Sequence, residues 1–86
     1  MPKQTVNEIL QERQSTHGTF SESATTVQRL KGIMRATPNW DRLSNAQREA
    51  LEMIQHKLGR ILHGDPNHLD SWADVQGYAK LGEPNE

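Results

Sequence analysis

The chain is 86 residues long, with ten basic and eleven acidic side chains, four histidines and no cysteine. The length sets one domain, 1–86, and the lack of Cys excludes disulfides and thiolate metal sites as reinforcement. A formal net charge of −1 argues against a general nucleic-acid binder, which carries a basic excess or stripe.

The N-terminal Met1-Pro2-Lys3-Gln4-Thr5 has no apolar h-region, so no secretory signal is read and the cytoplasm is the expected compartment. Thr5-x-x-Glu8 reads as a capping box, and Val6, Ile9, Leu10 and Arg13 follow at helical spacing. This first helix is expected over 6–16, closed by Gly18, with Phe20 anchoring the loop. Ser21 or Ser23 caps a second helix over 22–36, whose apolar stripe is Val27, Leu30, Ile33 and Met34. It stops before Pro38. Trp40 and Leu43 are expected to fold back on the next helix. Ser44-x-x-Gln47 is a further capping box, opening the longest helix, 45–63, which Gly64 ends. Asp65-Pro66-Asn67 makes a turn into a fourth helix over 68–81, and 82–86 is a tail. No repeat, low-complexity segment or strand pattern interrupts this order. The expected fold class is all-α, a compact bundle of about four helices.

At 100° per residue, Ala50, Leu51, Ile54, Leu58, Ile61 and Leu62 form the apolar side of the third helix. Glu49, Glu52, His56, Arg60 and His63 gather on the other side, an arrangement that an ordinary solvated face also gives. Lys57 lies between, its stem able to run along the core edge. In the fourth helix Trp72, Val75 and Ala79 form the core stripe, and Asp70, Asp74 and Gly77 share another strip. Two carboxylates one turn apart repel unless something positive compensates them. The helix dipole at Asp70, an ion pair to Lys57 or Arg60, or a bridging divalent cation each does so; Mg²⁺ needs only one or two carboxylates and completes its shell with water and phosphate. Gly77 on that strip suggests that a neighbouring helix or a ligand needs the room. The short connection makes the last two helices antiparallel, which places Asp70 and Asp74 nearer Arg60 and His56 than Glu49. The histidines show no zinc spacing, so His17, His56, His63 and His68 are read as surface or capping residues in preference to metal ligands. Tyr78 either stacks on a ligand or packs.

The stretch from His56 to Ala79, with Lys57-x-x-Arg60, a polar turn and Asp70-Ser71-Trp72-Ala73-Asp74-Val75-Gln76-Gly77-Tyr78-Ala79, resembles the C-terminal signature of small phage and prophage proteins related to the MazG-like, all-α nucleoside triphosphate pyrophosphohydrolases. Glu12-Arg13 followed by His17-Gly18-x-Phe20 resembles their N-terminal element. The resemblance implies a helical bundle, Mg²⁺ and cleavage of a nucleotide's α–β phosphate linkage. It implies Asp74 and Asp70 as metal ligands, Glu49 and Glu52 as the remnant of an acidic helix motif, and Lys57 and Arg60 as phosphate contacts; His56 and Tyr78 are further candidate ligand contacts. The sequence departs from that pattern in keeping only two acids of the first motif and in holding Ser71 where the second has an acid, and fewer carboxylates weaken metal binding and water activation.

The expectation is therefore a nucleotide-binding protein of phage type, with Mg-dependent pyrophosphohydrolysis as its enzymatic form. The alternative is a non-enzymatic phage accessory protein that binds a host protein or sequesters a nucleotide signal. No run of the chain is long and apolar enough to span a membrane, and nucleic acid binding through Arg29, Lys31, Arg35 and Arg42 is the weakest reading. A chain this small buries only ~60–65% of its unfolded surface, and the hydrophobic fraction is 33%, so a homo-oligomer that completes each core is expected.

Overall fold

A computed structural model describes residues 4–84, so Met1–Lys3 and the last two residues of the expected tail lie outside the described residues. Four α-helices and no strands are present among them: α1 (Val6–His17), α2 (Phe20–Arg35), α3 (Asn45–His63) and α4 (Leu69–Gly82), with a 3₁₀ turn at Trp40–Arg42. The all-α expectation holds.

Each start except the last has a side-chain cap. Thr5 Oγ1 accepts the Glu8 N–H at 3.1 Å. Ser44 and Gln47 form the reciprocal box, each bond 3.1 Å. The cap of α2 is Thr19, accepting from Glu22 N–H, and not Ser21 or Ser23. The Thr-x-x-Glu spacing at Thr19 is the same signal that marks Thr5, and it starts the helix two residues earlier than expected. Phe20 is consequently a helical residue, 80% exposed, and anchors no loop. Ser23 is buried instead. Trp40 does return to α3: the Arg48 guanidinium lies 5.9 Å from its ring centre and donates to the Trp40 and Asp41 carbonyls.

The central helix is α3, paired antiparallel with α2 on one flank and with α4 on the other. Gly59 allows the first contact, since a Cβ there would lie 2.8 Å from Val27 Cγ2 and overlap Ser23 Oγ. In the second, Gly82 packs against Ala50, and Gln47 Nε2 donates to the Gly82 carbonyl at 3.3 Å. With neighbours on both flanks, the residues that α3 buries are Ala50, Gln55, Lys57 and Gly59. This corrects the expected apolar side. Leu51 and Leu58 are half-buried and Leu62 is 64% exposed, because their strip points between the two flanks and is covered by neither partner in full. Likewise α4 turns Ser71 into the contact, while Trp72 and Ala79 of its expected core stripe stay exposed. Trp72 secures the preceding turn, its Nε1–H donating to the Pro66 carbonyl at 2.8 Å.

The first helix buries none of its residues. It is held at its C-terminal end, where Gly18 takes φ +77° and sits against the His63 carbonyl, Gly64 sits against the Thr16 carbonyl, and the Asp65 N–H donates to Thr16 O at 2.6 Å. A side chain at either glycine would overlap backbone, so the ends of α1 and α3 are joined main chain to main chain.

Candidate functional site

Four carboxylates expected to serve a metal are placed apart. Asp74 Oδ2 lies 2.9 Å from Lys57 Nζ. The Lys57 side chain is 11% exposed and that of Asp74 47%, so the carboxylate is the counter-ion of a buried ammonium. Asp70 is one turn away on the α4 surface, 4.0 Å from His68 Nε2. Glu52 belongs to the other flank of α3, paired with Arg35 at 2.7 Å. Glu49 and Glu52 line a shallow depression shared with Arg35 and Arg48. Antiparallel pairing sets these two pairs at opposite ends of α3. Among the described residues no three His, Asp or Glu side chains converge as a cation shell. Asp74 and Glu52 face a Lys and an Arg, while Asp70 lies by His68, so the four acids do not meet around one cation within a single chain. Asp74 is compensated by the ion pair to Lys57, and Asp70 stands in the first turn of α4, where the helix dipole favours it.

Two of the expected ligand contacts do meet, in a different place. His56 and Arg60, one turn apart on α3, face Leu10, Arg13, Gln14 and His17 of α1, Gly18 of the turn, and Phe20 and Ser23 of α2. Together they line a groove of about 350 Å³, within the range of small-molecule sites. Its charge is one-sided: two guanidinium groups and two imidazoles, and no carboxylate among the lining residues. Burial lowers the pKa of His17, and Arg60, His68, Lys57 and Arg13 lower it further. Burial also lowers that of His56, with Arg60, Lys57 and Lys31 adding to the effect. Positive charge thus collects here in a chain of net charge −1. The Nδ1 of His17 is buried with no hydrogen-bond partner, and its ring meets that of His68 edge-on at 5.5 Å.

Neither Lys57 nor Tyr78 lines this groove. Lys57 is committed to Asp74, and Tyr78 packs with Leu43, Gln47 and Ala50 in a separate cleft of about 260 Å³ between α3 and α4. Gly77 has open space where its Cβ would be, so no helix of the chain uses the room it leaves. Helical spacing does not single out Arg13, His17 and Phe20 as ligand contacts. Their signal was the short Glu12-Arg13…His17-Gly18-x-Phe20 element, and the fold brings that element to the Arg60 end of the C-terminal signature.

The profile of a family described as a domain of unknown function, DUF6378, matches residues 3–85. The chain belongs to the DUF6378 family. No curated protein and no solved structure matches it. The match takes in every helix of the DUF6378 chain, so groove and helical layer both lie within the family's domain.

Proposed function

We propose that this protein binds a phosphorylated, nucleotide-like small molecule in the groove between α1 and α3. The observation that carries the reading is the convergence of Arg13, Arg60, His17 and His56 with no acid among the residues around them. Two guanidinium forks suit phosphate oxygens, which they hold with charge-assisted, paired hydrogen bonds. Phe20 and Leu10, 80% and 51% exposed, offer the apolar surface on which a base or sugar can lie. The resemblance to MazG-like nucleotide pyrophosphohydrolases supports the ligand class, and Arg60 keeps the phosphate role it implies.

The groove favours holding the ligand over cleaving it. Metal-activated attack at phosphorus needs cation ligands, and no carboxylate lines the groove to supply them; the bases the groove does offer, the imidazoles of His17 and His56, are the groups that a bound phosphate protonates. Stoichiometric sequestration of a nucleotide is the function this arrangement serves. Binding also takes up protons. In the free protein burial, and after it the neighbouring cations, suppress protonation of His17 and His56. A phosphate between them removes that repulsion, raises both pKa values and tightens binding as pH falls.

Thermal midpoints against a panel of nucleotides and inorganic phosphate, with and without Mg²⁺, test the reading. One nucleotide class should raise the midpoint without metal, more at pH 6 than at pH 8, and no pyrophosphate should be released. A shift that appears only with Mg²⁺ and survives Arg60→Ala would move the ligand to the carboxylates and overturn it.

A further inference from the structure

One face of the helical layer is left uncovered. Stable domains pack two layers around a core, whereas here α2, α3 and α4 lie side by side, α3 in the middle, and the apolar residues classed as buried are Val27 and Ala50. Helical spacing places Ile33 of α2, Leu51, Leu58 and Leu62 of α3, and Trp72 and Ala79 of α4 on the same side of that layer. Ile33 is 67% exposed, Leu62 64% and Trp72 51%. The groove residues His56 and Arg60 lie about half a turn around α3 from Leu58 and Leu62, on the other side of the layer.

The surface area leaves room for a cover of interface size. The chain exposes 6746 Å², against ~5,200 Å² for a folded monomer of this mass. The excess, about 1,500 Å² per chain, is shared by this face, the groove and α1, which buries no residue, and it is large enough to supply the ~800 Å² per partner of a standard interface. The radius of gyration, 15.2 Å, likewise exceeds the ~12 Å of a compact domain of this length. The centre of this face, Leu51, Leu58 and Leu62 of α3, carries no charge, which matches the charge-depleted centre of homodimer interfaces and lets the patch meet itself across a two-fold axis.

We propose that a second copy of this chain covers this face, so that the protein is a homodimer whose two three-helix layers share one apolar core. The cationic groove stays outside that core and accessible in both copies, so the dimer stands independently of what the groove binds.

Sedimentation equilibrium of the full chain tests the proposal. The wild type should have twice the mass of one chain across the micromolar range. The double variant Ile33→Asp/Leu62→Asp should fall to the single-chain mass, and Leu81→Glu, which is 73% exposed on the Asp74 side of α4, should not. A wild type that sediments as a single chain, or a double variant that remains dimeric, overturns it. Should the double variant fail to fold, nitroxide labels on Leu62→Cys and on Leu81→Cys decide, since the chain has no other cysteine. Dipolar coupling between copies is expected to be stronger for the first, and the reverse order overturns the proposal.

Discussion

The pairing of α3 with α4 and the seating of α1 on α3 use opposite means. The α3–α4 contact is made by side chains along the length of both helices, with Lys57 and Asp74 at 2.9 Å and Gly82 against Ala50. The first helix has no buried residue and is attached at its last turn through Gly18, Gly64 and a main-chain hydrogen bond. The first arrangement is a scaffold, and the second is a hinged wall. Ligand-binding elements are drawn from the less stable parts of a fold, and the wall is what completes the groove around Arg60 and His56.

Gly18→Ala should break that contrast most severely. It puts a side chain at φ +77° and into the His63 carbonyl, for an expected loss of about 3 kcal/mol in urea unfolding. The damage should be local to the α1 attachment, with α1 amides losing protection first. Asp74→Asn strikes the scaffold instead. It leaves the Lys57 ammonium buried without its counter-ion, and the half-exposed position of Asp74 moderates the loss to about 2 kcal/mol.

The sequence made the scaffold legible and the wall much less so. Caps at Thr5 and Ser44 and the glycines at 18 and 64 are local signals, and they marked where α1 and α3 begin and end. Helical periodicity found the apolar strip of α3 but could not say that two partners would take its flanks, which is why Gln55 and Lys57 are buried and Leu62 is not. The mid-helix Gly59, unremarked in the sequence, turned out to be the residue that lets α2 approach. Arg60 and His56 were placed correctly on one strip, yet their companions Arg13 and His17 lie about forty positions earlier in the chain and reach them only through the turn at Gly18. Spacing along one helix carries no information about such a meeting.

Smaller effects sharpen the account. His17 and His56 have lowered pKa values in the folded chain, so the unfolded chain binds more protons near its ordinary value of 6.5. Stability from these groups is complete above about pH 6.5 and is lost as pH falls through it toward their folded values. A saturating phosphate ligand should reduce this acid sensitivity by offsetting the neighbouring cations, which unfolding curves at pH 7.5 and pH 5.5 will show. The least effect belongs to Gly77→Ala. With nothing near its Cβ position, it should gain about 0.5–1 kcal/mol, and a loss would show that something occupies that strip of α4.

The most direct test is calorimetric titration of the nucleotide class found by thermal shift into wild type, Arg60→Ala and Asp70→Asn, in buffer free of divalent cations. The account predicts one site per chain, at least tenfold weaker binding for Arg60→Ala, about 1.4 kcal/mol, and no change for Asp70→Asn, whose carboxylate lies on the outer surface of α4. Binding that is unaffected by Arg60→Ala, requires Mg²⁺ and fails with Asp70→Asn would contradict it.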